Sequence, residues 1–132
     1  MPSSVASAIV AHARETAPEE CCGLLVGRGD RVERAVPTAN LRAGGDRYLV
    51  DPAAHFEARR AARAAGLAVV GAYHSHPEGP LRPSAVDLAE AFETGFVYVI
   101  ASPVPTAPSG GLAAFRFTGT GFEELMLDFE LE

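Results

Sequence analysis

The chain of 132 residues has the length of one domain, residues 1–132, and its 48% apolar and 21% charged residues exclude an intrinsically disordered protein. A formal net charge of −6 opposes binding to a phosphate backbone and excludes nucleic acid as an expected partner. No apolar run approaches the roughly 20 residues that cross a bilayer, and no signal-peptide pattern opens the chain, so we expect a cytoplasmic protein with no membrane partner.

Apolar spacing, helix caps and turn residues predict an alternation of helices and strands. In chain order we expect a helix over residues 4–16, a hairpin of strands 21–27 and 31–39, an extended stretch 48–50, a helix over 53–65, a strand over 67–73, a helix from 84 to about 94, a strand over 96–101, and a hairpin of strands 112–117 and 122–131. This order predicts an α/β domain: a single mixed β-sheet with helices packed against it.

Local signals mark the ends of the first two predicted helices. Ser3 or Ser4 can cap the start of the first helix, and Pro18 ends it. Asp51 can cap the second helix, and Gly66 is the expected left-handed residue that closes it. In the last predicted strand apolar and polar residues alternate, so we expect one buried face and one solvated face.

The two cysteines of the chain, Cys21 and Cys22, are neighbours. A disulfide between them would strain the intervening peptide and close no useful loop, so we expect reduced thiols. Two interpretations stay open. Small buried residues on a strand are favoured, because free cysteine is among the most buried residue types. A nucleophilic role is the alternative.

Chemistry-bearing residues follow the nearly unbroken apolar run 67–73, which is typical of a strand buried on both faces. In an extended segment residues two apart point to the same side, so His74 and His76 present both imidazoles to one point. Asp87 lies in the first turn of the next predicted helix, after a loop that can fold it back over the strand end. Two histidines, one carboxylate and a water are the ligands of a catalytic zinc site, so the pattern indicates metal chemistry.

Ser84 and Asp87 also fit a second interpretation. A Ser-x-x-Asp sequence is a capping arrangement. The serine hydroxyl accepts a hydrogen bond from an amide of the first turn, and the carboxylate accepts one from the backbone amide of the serine. For this pair alone a structural cap is the better interpretation. The whole conjunction of buried strand, His-x-His-Pro and Ser-x-x-Asp is far more specific.

That conjunction resembles the JAMM, or MPN+, metallopeptidase family, whose motif is His-x-His, a spacer of seven residues, and Ser-x-x-Asp. Here His74-Ser75-His76 is followed by residues 77–83 and then by Ser84-Ala85-Val86-Asp87. Small bacterial members of the family also carry a Pro-x-Glu-x-Cys-Gly-Leu-Leu-x-Gly pattern, which residues 18–27 match position by position. The resemblance covers essentially the whole chain.

The resemblance implies a role for each motif residue. His74, His76 and Asp87 would bind one Zn²⁺ per chain, with water as the fourth ligand. Glu20 would be the general base that takes the water proton and passes it to the leaving amine. Ser84 would donate a hydrogen bond to the tetrahedral oxyanion, yet a hydroxyl that caps a helix cannot point fully at a substrate, so this conflict stays open.

The resemblance further implies the JAMM/MPN fold, which is cytidine-deaminase-like, and a peptidase or isopeptidase activity. The substrate and partner would be a small ubiquitin-like or sulfur-carrier protein, cut after its C-terminal Gly-Gly to release an extension or an attached amino acid such as cysteine. Two alternatives are a non-catalytic MPN scaffold and a RadC-like DNA-associated protein. The presence of every predicted ligand and of Glu20 opposes the first, and the acidic composition opposes the second.

Four other residues receive structural interpretations. His12 and His55 lie in predicted helices without a metal-ligand partner four residues on, so we expect them to be solvated or hydrogen-bonded. Tyr73 points to the side of the strand opposite His74 and is expected in the core. Glu19 is expected to be solvated.

Overall fold

The computed structural model describes residues 1–42, 48–91, 93–104 and 108–128, and within them helices and strands alternate along the chain. The helices are α1 (Ser3–Thr16), α2 (Pro52–Ala64) and α3 (Ala85–Glu90), with a short 3-10 turn at Pro108–Gly111. The strands are β1 (Cys22–Arg28), β2 (Arg31–Thr38), β3 (Ala68–Ser75), β4 (Val97–Ala101), β5 (Leu112–Phe117) and β6 (Phe122–Leu125). In these ranges no helix combines the length and the apolar character needed to cross a membrane.

The strands form one mixed sheet in the order β2-β1-β3-β4-β5-β6. Strand β1 pairs antiparallel with both β2 and β3, whereas β3 and β4 are parallel. Strands β4, β5 and β6 continue as antiparallel neighbours. Parallel strands need a crossover connection, and α3 lies within the connection from β3 to β4. The predicted α/β architecture, a mixed sheet flanked by helices, is confirmed.

Apolar clusters cover both faces of the central strands. One cluster joins Ile9 of α1 to Leu25 of β1, and the other joins Ala62 of α2 to Leu24 of β1. Successive strand residues point to opposite faces, so α1 and α2 pack on opposite sides of the sheet. The same alternation sends Tyr73 into the α1 cluster and Ala72 into the α2 cluster. Strand β3 is therefore buried on both faces, as its apolar run predicts.

The second helix begins and ends where the sequence predicts. The Oδ1 atom of Asp51 accepts a hydrogen bond from the amide of Ala53 at 2.9 Å, and Pro52 occupies the first helical position. Gly66 follows the helix with a φ of +75°, a backbone conformation that favours glycine.

Two predicted helix features are wrong. Helix α3 ends at Glu90 instead of running to residue 94, because Ala91 adopts an extended backbone (φ −72°, ψ 135°) that leads toward the left-handed Gly95 before β4; residue 92 lies outside the described part. Helix α1 has no serine cap. Its N-cap residue is Pro2, whose backbone carbonyl accepts from amides of the first turn.

The last predicted strand is also too long. Strand β6 ends at Leu125, residues 126–128 are not paired in the sheet, and residues 129–131 lie outside the described part. The ammonium group of Met1 donates a hydrogen bond to the carbonyl oxygen of Asp128 at 2.9 Å. The backbone of this segment therefore pairs with the start of the chain instead of extending the sheet.

Two further expectations hold in part. The stretch 48–50 contributes a single antiparallel bridge, between Asn40 and Val50, and not a strand. The alternation beyond β6 survives without strand pairing, since Leu127 packs against the core and Met126 is 91% exposed.

Tyr73 crosses the neighbouring strand at Gly23. The two residues are partners in the β1–β3 ladder, and the buried Tyr73 hydroxyl lies 2.7 Å from Nδ1 of His12 in α1. The Tyr73 ring fills the space over Gly23, where a Cβ atom would overlap it. Tyr73 is thus a core residue, and His12 is hydrogen-bonded, as expected.

We predict that Gly23→Ala lowers the free energy of unfolding by about 1–3 kcal/mol, because an added methyl group must displace the Tyr73 ring or the strand. Urea or thermal unfolding measures this loss. Gly121→Ala is the matched control: its Cβ would meet no heavy atom within 4 Å, and stability should change by less than about 0.5 kcal/mol. Equal stability of the two variants would contradict the packing of the Tyr73 ring over Gly23.

Candidate metal centre and active site

The two histidines of the motif lie at the end of β3, which is held from both sides. Toward β4, the amide of His76 donates to the carbonyl of Ala101 at 2.9 Å. Toward β1, the amide of Ser75 donates to the carbonyl of Cys21 at 3.1 Å, and the Ser75 hydroxyl accepts from the Cys21 amide at 2.8 Å. This extended backbone turns His74 and His76 to the same side, with their Nε2 atoms 3.0 Å apart.

Asp87 reaches the histidines from the first turn of α3. Its Oδ2 atom lies 3.1 Å from Nε2 of His76, and its carboxylate lies 3.2 Å from Nε2 of His74. A complete capping box orients it: the Asp87 amide donates to the Ser84 hydroxyl at 3.1 Å, and the Ser84 amide donates to Asp87 Oδ2 at 2.8 Å. The structure therefore brings the three predicted ligands together.

Glu20 joins this group from the segment that precedes β1. It is only 7% exposed, and one of its carboxylate oxygens lies within 4.8 Å of a ring nitrogen of each histidine, His74 and His76. The carbonyl of Glu20 accepts a hydrogen bond from the side-chain amide of Asn40 at 3.1 Å, which ties this segment to the residues after β2. Glu19, in contrast, is exposed, as expected.

The donor set fits a metal ion. Nδ1 of His76 lies 2.9 Å from the carbonyl oxygen of Pro80, which can only accept, so Nδ1 carries the proton and Nε2 offers its lone pair to the site. Nε2 of His74 and the Asp87 carboxylate face the same point. Two imidazole nitrogens gathered with the Asp87 and Glu20 carboxylates form a set of donors that can hold a metal ion.

A family comparison agrees with this geometry. Residues 2–117 match the family described as prokaryotic homologs of the JAB domain. The chain belongs to this family. Over 129 residues this chain is 40% identical to desampylase from Haloferax volcanii, and the alignment covers 92% of this chain and 89% of that protein. Over 102 residues it is 35% identical to the CysO-cysteine peptidase of Mycobacterium bovis, with 76% and 70% covered.

Solved structures agree with the fold of the JAB chain. The solution structure of a protein from Desulfitobacterium hafniense superposes with a TM-score of 0.87 at 34% identity, covering 99% of this chain and 92% of that one. Together with the peptidase relatives, this likeness identifies the JAB chain as a JAMM-type hydrolase that acts on peptide or isopeptide bonds. The non-catalytic scaffold interpretation is therefore disfavoured.

Asp87 and the two histidines shift one another's pKa values. Burial alone raises the pKa of Asp87, but hydrogen bonds from His74 and His76, in the forms that carry a proton on Nε2, outweigh burial and hold that pKa well below its usual value. Burial lowers the pKa of His74. Burial also acts to lower the pKa of His76, yet hydrogen bonds to Asp87 and to the Pro80 carbonyl outweigh it and raise that pKa. The histidines thus favour the ionised form of the Asp87 carboxyl group.

Ser84 can serve both of its suggested roles in the JAB site. Its hydroxyl accepts the hydrogen bond from the Asp87 amide, so the helix cap uses a lone pair and not the hydroxyl proton. The residue is exposed and lines the same groove as Glu20 and His76. The hydroxyl proton is therefore available to a substrate oxygen while the cap stays intact, which removes the conflict seen in the sequence.

A groove of about 710 Å³ leads to this centre. Pro18 and Glu20 line one part of it, and the loop and helix start from Pro77 to Val86 line another. Prolines at positions 18, 77, 80 and 83 restrict the backbone around the groove. The backbone that lines the groove is therefore restricted before any substrate binds.

The remaining candidates take structural positions. Cys21 and Cys22 are buried free thiols, and burial raises the pKa of Cys21 to about 11, so the thiolate that a nucleophile requires is scarce. The nucleophilic interpretation gains no support. His55 is hydrogen-bonded by the Nε–H of Arg59 at 3.0 Å, as its helical position predicts.

Sequence reasoning missed two residues that contact the ligands. The ring of Tyr48 stacks on His74, with centroids 4.3 Å apart and an interplanar angle of 16°. The carbonyl of Pro80 orients His76. No local pattern marks Tyr48, which lies far from the motif in sequence. Every residue has a backbone carbonyl, so the role of the Pro80 carbonyl cannot be read from the residue type.

Proposed function

We propose that this JAB-family chain is a zinc-dependent peptidase that hydrolyses the amide bond after the C-terminal Gly-Gly of a small ubiquitin-like or sulfur-carrier protein. The released group is a C-terminal extension or an attached amino acid such as cysteine. One observation carries the proposal: Nε2 of His74, Nε2 of His76 and the Asp87 carboxylate converge beside Glu20 at the end of a groove.

The donor set supports zinc among the common metals. Imidazole suits zinc and other transition metals, whereas magnesium and calcium prefer an all-oxygen set. A closed structural zinc site would more commonly use cysteines, and this one leaves a position for water. Bound by His74, His76 and Asp87, zinc would polarise the scissile carbonyl and lower the pKa of a bound water to about 7.

Glu20 and Ser84 would then assist hydrolysis in different ways. Glu20 accepts a proton from the attacking water, and the water oxygen adds to the carbonyl carbon of the last glycine. Ser84 donates a hydrogen bond to the oxyanion that forms. Glu20 passes the proton to the leaving amine as the C–N bond breaks, and the second water proton moves from the new carboxylic acid to the amine, so the products are a glycine carboxylate and an ammonium group.

The relatives and the groove support the substrate class. The names desampylase and CysO-cysteine peptidase are those of proteins 40% and 35% identical to this chain, and they point to conjugates of small carrier proteins. A folded carrier can reach a recessed centre only with a narrow extended tail, and two glycines provide one. A RadC-like role is disfavoured by the net charge of −6.

We predict about one zinc per chain in the wild-type protein and its loss in His76→Ala, because a three-ligand site rarely keeps its metal with two ligands. Metal analysis after reconstitution and desalting measures both. His55→Ala, which removes a histidine outside the motif, should retain zinc. A wild-type protein without zinc, or a His76→Ala variant that keeps it, would contradict the assigned centre.

Glu20→Gln should lose about 10²- to 10⁴-fold in turnover while retaining fold and zinc, because the amide matches the acid in shape but cannot accept a proton. Glu19→Gln is the matched control, since Glu19 is exposed and Glu20 is buried. Turnover is compared at equal zinc content. If the two variants behave alike, Glu20 is not the base.

We expect cleavage immediately after Gly-Gly of a ubiquitin-like sulfur carrier, abolished by a chelator and restored by Zn²⁺. Replacing the last glycine by valine should reduce the rate far more than changing the residue after the cut, because a glycine lets the tail approach the metal ligands more closely than a β-branched residue does. Product masses from purified carrier variants report both effects. Equal cleavage of the valine variant, or efficient cleavage of casein, would show a general peptidase instead.

A further inference from the structure

The two histidines at the centre are oriented in different ways. His76 donates its Nδ1 proton to the Pro80 carbonyl, the hydrogen bond that usually fixes the ring of a metal-binding histidine. His74 has no such bond: its Nδ1 atom is buried and has no hydrogen-bond partner among the described residues. A neutral His74 that offers Nε2 to a metal must carry its proton on that Nδ1. Another contact must therefore fix its ring plane.

Tyr48 makes that contact. Its ring lies nearly parallel to the His74 imidazole, with centroids 4.3 Å apart and planes 16° from each other. His76 meets the His74 ring at an edge, with centroids 4.8 Å apart and planes at 62°. The His74 side chain is only 1% exposed, so Tyr48 also keeps water from its ring.

We propose that Tyr48 is a positioning residue for the metal centre, which holds the His74 imidazole in the plane that aims Nε2 at the metal. The inference rests on the proposed assignment of His74 as a ligand. Stacking takes the place of the missing hydrogen bond: it allows the ring to slide within its plane and opposes any rotation out of that plane. Stacked aromatic pairs contribute more stabilising free energy than their buried area alone accounts for.

The backbone around Tyr48 is held to the active site. The side-chain carbonyl of Asn40 accepts from the amide of Leu49 at 2.9 Å, and the side-chain amide of Asn40 donates to the Glu20 carbonyl at 3.1 Å. The amide of Leu41 also donates to the carbonyl of Leu49 at 2.9 Å. One asparagine therefore links the segment of the proposed base to the segment that carries Tyr48.

The Tyr48 ring also lines a cavity. This cavity of about 150 Å³ is lined by Tyr48 together with Ala72, Asp87 and Tyr98. Removing the Tyr48 ring would join this cavity to the space over His74, and the imidazole could then turn away from Asp87. A side chain that fills volume without an aromatic face would stack poorly on the imidazole.

The test compares Zn²⁺ affinity, measured by competition with a chromophoric chelator, in four proteins: wild type, Tyr48→Phe, Tyr48→Leu and Tyr98→Leu. Tyr48→Phe keeps the ring and should bind zinc within about twofold of wild type. Tyr48→Leu should bind about 10- to 100-fold more weakly, the usual range for loss of an outer-shell partner. Tyr98 lines the same cavity and its ring contacts Phe96 and Phe122, so Tyr98→Leu should leave zinc affinity near wild type.

Thermal unfolding of the zinc-free proteins separates positioning from general destabilisation. Zinc affinity of Tyr48→Leu equal to wild type would overturn the inference and leave the proposed function intact. Equal weakening in Tyr48→Leu and Tyr98→Leu would also overturn it, since the effect would then come from the cavity. A wild-type protein that binds no zinc would refute the proposed function and this inference together.

Discussion

The paired hydrogen bonds between Cys21 and Ser75 are the contact on which the site depends. The carbonyl of Cys21 accepts from the Ser75 amide and its amide donates to the Ser75 hydroxyl, in a position that is almost fully excluded from water. Glu20 precedes one partner, and His74 and His76 flank the other. Two small residues allow the strands to approach this closely. The distance between the proposed base and the two proposed histidine ligands is thus set by backbone pairing.

The capping box of α3 gives Asp87 two tasks at once. A six-residue helix has little stability of its own, so its place depends on contacts outside it. The exposed ion pair between Arg42 and Glu90 contributes little to such a helix. The carboxylate of Asp87 both closes the helix start at Ser84 and faces the histidines. Order in α3 and geometry at the centre are therefore coupled.

The parts of the fold that sequence anticipated are those set by local patterns. Apolar runs bounded by turn residues located the central strands, and Asp51 and Gly66 marked a helix whose ends the structure confirms. The length of α3, the end of β6 and the stacking of Tyr48 were not predictable in this way. The end of β6 and the stacking of Tyr48 depend on contacts between segments remote in sequence, such as Met1 with the end of the described chain.

Strand β3 is a central strand, and its two partners come from different parts of the chain. Cys21 and Ser75 are 54 residues apart, and β4 follows only after α3. When a nascent chain has emerged only as far as the β1–β2 hairpin, it contains Glu20 but neither histidine. Pairing over such separations comes late in folding, because the loop must close before the contacts form. The convergence of Glu20 with His74 and His76 therefore arrives only when the third strand has paired with the first.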